Sequence, residues 1–287
     1  MNSRVPKVLR RICGREMISL CLDAVSHAGL DYIVVVVPPG ADGITAVVGD
    51  RAECVIQKKP LGTGDALREA LSSLGSASEV AVFSGDVPLL RGETICSLAD
   101  LHSAKDATIT MLTGSAEGTA DRRARVQRDP SGRVCRVVEH EVADDTDLRL
   151  EEVNGGTYFF DADWLWKNIR RLEPSECGEV FLTDLLKLAS DDGRGIETLI
   201  SGDPSEILGC DNRVLLARAE FLLRSRLAER WMRCGVTIPD PSAVYIDASA
   251  SLGRDTVLLP NTHVIGDSQV GEECKIGPNS LVRDSRI

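Results

Sequence analysis

The sequence predicts an α/β fold: a doubly wound, mostly parallel sheet, followed by a short left-handed β-helix of hexapeptide repeats. Three observations carry that expectation. Apolar runs alternate with amphipathic segments through roughly the first hundred residues, the pattern of βαβ units on a parallel sheet. The run Ala81-Val82-Phe83 ends on Ser84-Gly85-Asp86-Val87-Pro88, which presents one carboxylate at the carboxyl end of a strand, the edge where open α/β sheets bind ligands. From Ile246 onward an aliphatic residue recurs at every sixth position: Leu252, Leu258, Val264, Val270, Ile276 and Val282.

Taken in order, a helix is expected over 16–29, with Met17, Ile18, Leu20, Cys21, Ala24 and Val25 on one face, leading out through Gly29. The unbroken apolar run in 32–37 is expected to be a strand covered on both faces and is closed by Pro38-Pro39-Gly40. A strand at 53–57, a helix at 64–74, a strand at 80–85 and a helix near 92–103 follow. Shorter alternations at 107–112, 124–128, 134–138 and 157–160 predict a sub-sheet facing the substrate. Helices are expected at 162–171, 181–190 and 212–233, the last a long connector carrying Leu215, Leu216, Ala219, Leu222, Leu223, Leu227 and Ala228. In the repeats, Ala250, Thr256, Thr262, Ser268, Cys274, Ser280 and Arg286 each stand four residues after an aliphatic position. Each hexad thus makes one side of a triangular coil with its aliphatic side chain inside, and seven hexads make a little over two coils. Such a solenoid needs about three repeats and a cap, and neither is evident. The expected domains are 1–211, a connecting helix at 212–235, and the coil at 236–287.

The chain has 287 residues and a formal net charge of −11, which argues against a nucleic-acid or anionic-membrane partner, since both need a basic face. Its nine cysteines are scattered and contain no CxxC pair, so neither a zinc site nor a disulfide framework is indicated, in keeping with a cytoplasmic protein. No apolar stretch reaches the ~18 residues of a membrane span.

Two strand ends point to nucleotide chemistry. Asp86 offers a hard oxygen of the kind that suits Mg²⁺ and a phosphate. Gln57 ends the apolar run Cys54-Val55-Ile56 and leads into Leu61-Gly62-Thr63-Gly64-Asp65-Ala66, a Gly-rich turn opening a helix. Each residue alone has a plain alternative: Asp86 as a helix cap, Lys7 as a solvated charge, Glu139 as an exposed edge residue, Asn154 as part of a turn.

As an ordered set, Val5-Pro6-Lys7-Val8-Leu9, Gln57 with 61–66, 84–89, Val138-Glu139-His140, 153–158, Gly178-Glu179 with 182–184, 209–213 and the hexads resemble the GlmU family. These are bifunctional enzymes joining an N-acetylglucosamine-1-phosphate uridylyltransferase to a β-helical acetyltransferase. The resemblance implies a Rossmann-like nucleotidyltransferase domain, a β-helix that trimerises, and Mg²⁺-dependent transfer of uridylyl from UTP to N-acetylglucosamine 1-phosphate for cell-wall precursors. It further implies Asp86 and Asp211 as metal ligands, with Lys7 binding phosphate and Lys7 and Asp86 as the catalytic pair. Gln57, Gly62 and Thr63 match uracil contacts; Ala124, Glu139 and Asn154 match sugar contacts.

The departures carry expectations too. The family's phosphate loop, close to LAAGxGTRM, should precede Val5-Pro6-Lys7 and has no counterpart in residues 1–4. Whether the sequence starts internally or the loop is lost, a central strand and the main-chain cradle for the triphosphate would be missing, leaving neighbouring strands with unpaired peptide groups and the chain a poor enzyme. The sugar end also differs, at Ser84, Ala124, Glu141 and Gly155, so a related hexose 1-phosphate and a non-catalytic trimer are alternatives. The hexads reach Ile287, short of the coils that carry acetyltransferase chemistry, and none is expected here.

Overall fold

The computed structural model describes residues 1, 3–30, 32–117 and 121–287. Its contacts divide the chain into two compact units, one of residues 1–20 with 209–287, the other of residues 21–208. A short antiparallel hairpin, β1 (Arg11–Ile12) and β2 (Arg15–Glu16), opens the chain and runs into α1 (Met17–His27). The hairpin went unrecognised in the sequence because two-residue strands carry no periodicity.

In the second unit, β3 (Val34–Val37), α2 (Asp42–Val48) and β4 (Glu53–Ile56) form a parallel pair of their own, with Val34 opposite Glu53. The valines of β3 are only partly buried apart from Val37, and Tyr32 is 54% exposed, so the expected strand covered on both faces is corrected to a shorter, partly open one. α3 (Thr63–Leu74) packs on this pair and also gives Leu67, Leu71 and Leu74 to the main core.

β5 (Glu79–Phe83), α4 (Gly92–Lys105), β6 (Ile109–Ser115), β7 (Arg125–Arg128), β8 (Val134–Val138), β9 (Glu152–Asp161), α5 (Ala162–Asn168), α6 (Asp184–Asp191) and β10 (Ile196–Ile200) complete the unit. The strand order is β10-β6-β9-β7-β8, with β5 also on β9. β10 and β6 are parallel; the pairs involving β9 are antiparallel. Among the described residues β5 pairs only with β9 and β3 only with β4, so the two sheets do not join through a ladder. The helices cover the faces, burying Leu165, Leu185 and Leu186 against Ile109, Met111 and Phe160 on one side, and Ile95 and Leu98 against Leu112 and Phe159 on the other.

Strand β9 organises the sheet. It runs ten residues rather than the expected four. Residues 157–161 pair with β5, while Val153 pairs with Arg125 of β7. Between the two, the register with β6 slips, Met111 facing Tyr158 and Thr113 facing Asn154. This bulge falls on Gly155-Gly156, where Gly156 takes φ +70°, a conformation glycine adopts without strain. Glycines and a local break in alternation hid the first half of the strand from a period-two reading.

In the other unit, α7 (Arg213–Arg233) begins at Asn212, whose Oδ1 accepts from the Val214 and Leu215 amides, a strong amino-terminal cap. The strands that follow, β11 (Val244–Ile246), β12 (Ser251–Leu252), β13 (Val257–Leu258), β14 (Thr262–Ile265), β15 (Gln269–Val270), β16 (Lys275–Ile276) and β17 (Leu281–Arg283), pair in parallel at a constant offset, Val264 lying over Ile246 and under Val282. Three hexads therefore close one coil. Leu258 and Val264 are fully buried along the axis, and so are Thr256, Thr262 and Ser268 at the small positions. The absent cap is corrected: Ala228, Trp231, Val236 and Ile238 join the same core as Val244 and Ile246 and plug the first coil. Apolar residues at the end of a helix read as helix core, which concealed this second duty.

Candidate nucleotide and sugar site

The switch of neighbours along β9 draws together the turn carrying Asp86, Ala124 and Asn154. Where β5 ends, the Ser84 amide and hydroxyl both donate to the Gly156 carbonyl, each at 3.2 Å. This ties the turn carrying Asp86 to the bulge. Asp86 is half-buried and does not cap α4, whose first turn begins at Gly92. Where β7 begins, the Ala124 carbonyl accepts from the Asn154 amide at 2.9 Å, and Ala124 itself is buried. Asn154 is thus a strand residue at a bulge rather than part of a turn.

The Asn154 side chain is held at both ends. Its Oδ1 accepts from the Gly156 amide at 2.9 Å and its Nδ2 donates to the Tyr158 hydroxyl. Glu139 follows β8, is partly buried, and accepts from the Thr183 hydroxyl at 2.8 Å. Burial pushes its carboxyl above the usual range, with Glu141, Asp184 and Glu179 adding to the effect and Thr183 opposing it. Its charge reaches Tyr158, which burial and Glu139 together keep protonated. A cavity of about 110 Å³ lies against Glu139, lined by Thr183, Asp184, Arg136 and Lys187 together with Val142 and Phe181. A larger one of about 440 Å³, between Arg68 of α3 and Trp166, holds none of these residues.

A further set of hydrogen bonds surrounds the Gly-rich turn. Thr63 Oγ1 accepts from the Leu182 amide at 3.0 Å, Gly64 donates to the Val180 carbonyl at 2.9 Å, and Val180 donates to Leu61 at 2.7 Å. Gly62 sits at φ +105°, and a Cβ there would lie 2.6 Å from the Val180 carbonyl oxygen, so neither the conformation nor the space admits another residue. Gln57 Nε2 donates to the Gly62 carbonyl at 3.1 Å and to Asp65 Oδ2 at 2.9 Å, leaving its own Oε1 as the amide's acceptor. Hydrogen bonds thus join Gln57, Gly62 and Thr63 in one cluster, which reaches Glu139 through Leu182 and Thr183, and join Asn154, Ala124 and the turn carrying Asp86 in another.

Lys7 and Asp211 belong to the other unit, where Lys7 Nζ lies 2.8 Å from Asp211 Oδ1. Asp86 and Asp211 are both carboxylates, and among the described residues no cluster of three or more acidic, His or Cys side chains could hold a metal. Within the second unit, Asp86 offers the hard oxygen that Mg²⁺ takes beside its waters and substrate phosphates. Sequence reasoning missed Thr183 and Tyr158. Both lay inside the segments that carry the resemblance, but nothing local marks a threonine or a strand tyrosine as facing a site.

Comparison with known proteins bears on this arrangement. Residues 1–120 match the MobA-like NTP transferase domain, and residues 249–284 match the bacterial transferase hexapeptide, six repeats. The whole chain is 37% identical to the bifunctional protein GlmU of Halalkalibacterium halodurans, covering 63% of that protein. It is also 37% identical to that of Exiguobacterium sibiricum and 38% to that of Shouchella clausii, covering 64% and 63% of them. This chain is a nucleotidyltransferase similar to the GlmU proteins. It spans somewhat less than two thirds of the length of the GlmU proteins it matches. Gln57, Gly62, Thr63 and Asp86 therefore lie within the part of the chain that matches an NTP transferase domain. Among the described residues, no helix is long and apolar enough to cross a membrane.

Proposed function

We propose that this chain transfers uridylyl from UTP to N-acetylglucosamine 1-phosphate, forming UDP-N-acetylglucosamine and pyrophosphate. The observation that carries the reading is the pair of hydrogen-bonded clusters: the Gly62-Thr63 turn is clamped to Val180–Leu182, the next residue Thr183 holds Glu139, and the bulge at Asn154 holds both Ala124 and the Asp86 turn. In the proposed reaction a phosphate oxygen of the sugar 1-phosphate attacks the α-phosphorus of UTP. The bond from that phosphorus to the bridging oxygen breaks, and pyrophosphate leaves with the electron pair. No covalent enzyme intermediate is required, so the residues contribute by positioning and charge.

The roles follow the chemistry of each group. Gln57 and the main chain at Gly62 and Thr63 read the uracil edge, where amide donors and acceptors are fixed by the turn. Glu139, Asn154 and Ala124 face the sugar. Lys7 binds phosphate as an ammonium. Asp86 and Asp211 would hold Mg²⁺, which when bound neutralises charge on the phosphoryl groups. We also assign a homotrimer to the coil, supported by its flat outer face, on which Tyr245 stacks on His263 at 4.3 Å one coil above, with the 60% exposed Leu281 next in register.

Pyrophosphate release from UTP, measured with a panel of hexose 1-phosphates, tests the reading. N-acetylglucosamine 1-phosphate should give the highest kcat/KM. Preference for another hexose replaces the sugar assignment, and UTP binding without turnover on any sugar replaces the enzyme reading.

A further inference from the structure

Tyr158 lies on β9 with 4% of its surface exposed, its ring stacked on Phe160 at 5.8 Å between centroids and packed in the core with Ile109 and Met111. Its hydroxyl meets Asn154 Nδ2. The opposite end of that amide faces the Gly156 N–H, which can only donate, so the atom facing it is Oδ1 and the orientation of the amide is determined. One N–H and one lone pair of Asn154 remain for a ligand. A side chain already fixed at both ends loses little entropy on binding and rejects ligands that present the wrong polarity.

We infer that Tyr158 is a positioning residue that sets the Asn154 amide, through one hydrogen bond, to recognise the amino-sugar ring of the sugar 1-phosphate. The inference rests on the sugar assignment proposed above. Tyr158 touches no substrate; it acts only through Asn154.

Calorimetric binding of N-acetylglucosamine 1-phosphate to the full chain tests it in a double-mutant cycle of Tyr158→Phe, Asn154→Ala and the pair. Tyr158→Phe keeps the ring in the core and removes only the hydroxyl. It should weaken sugar binding about 5- to 10-fold, the size of one hydrogen bond, and leave UTP binding unchanged. In the Asn154→Ala background the same change should have almost no effect. Asn154→Asp keeps the acceptor for Gly156 but removes both N–H groups, the one to Tyr158 and the one left for the ligand, so it should weaken sugar binding more than Tyr158→Phe does. Additive losses in the cycle, unchanged sugar affinity in Tyr158→Phe, or an equal loss of UTP affinity overturns the role of Tyr158 alone. A wild-type chain that binds UTP but no sugar 1-phosphate overturns the sugar assignment and this inference with it.

Discussion

Lys7 Nζ lies 2.8 Å from Asp211 Oδ1, an ion pair spanning 204 positions of sequence. The two side chains are 36% and 69% exposed, so water screens the pair and its contribution to stability is at most about 1 kcal/mol. Its interest lies in function, because the ammonium is assigned to a substrate phosphate and the carboxylate to Mg²⁺. Asp211→Asn should shift the melting temperature by no more than about 3 °C. Lys7→Ala should weaken UTP binding roughly 10- to 100-fold, as for a charge-assisted hydrogen bond lost. Calorimetry that finds UTP affinity unchanged in Lys7→Ala removes that residue from the phosphate site.

Glu139 makes stability fall with pH. A carboxyl whose pKa is raised in the folded state binds its proton more tightly there than when unfolded. Stability therefore declines as pH rises from the ordinary value of 4.5 through the raised one, and the penalty is complete above it. Glu139→Gln keeps an acceptor for Thr183 and carries no charge. Its melting temperature should exceed the wild type's at pH 7 and converge with it near pH 4, while sugar binding is lost. A variant less stable than wild type at pH 7 contradicts the burial argument.

At Gly62, any side chain meets the Val180 backbone and an unfavourable φ together. Gly62→Ala should destabilise by about 2 kcal/mol or more, read as a lower urea midpoint at constant m-value. UTP binding should fall further than the stability loss explains, because the displaced turn also carries Thr63 and the partner of Gln57. An unaltered urea midpoint contradicts this.

Leu258 is wholly buried on the coil axis. Leu258→Ala should cost about 2–5 kcal/mol. If the coil holds three subunits together, light scattering should show the loss of trimer at temperatures where circular dichroism of the variant still reports helices. A variant as stable as wild type would place the core elsewhere.

Much of this was legible beforehand. The six-residue period gave the coil because each hexad must bury one aliphatic side chain, from Ile246 to Val282, and the leucines from Leu215 to Leu227 marked the long helix α7. The turn at Gly62 and the strand end at Asp86 also lie where the residues placed them. What stayed hidden depends on contacts distant in sequence: the change of partner along β9, the cap formed by Trp231 and Ile238, the hold of Thr183 on Glu139 and of Tyr158 on Asn154. The valines of β3 misled because an apolar run records what a strand could bury, whereas actual burial depends on which strands and helices lie beside it.

The central claim is that Asp86 serves phosphoryl chemistry rather than structure. The most direct measurement is Mg²⁺-dependent pyrophosphate release from UTP and N-acetylglucosamine 1-phosphate by the wild type and Asp86→Ala, alongside circular dichroism of both. Turnover should fall at least about 100-fold with the fold unchanged. Mg²⁺-dependent turnover in Asp86→Ala equal to the wild type would contradict the account.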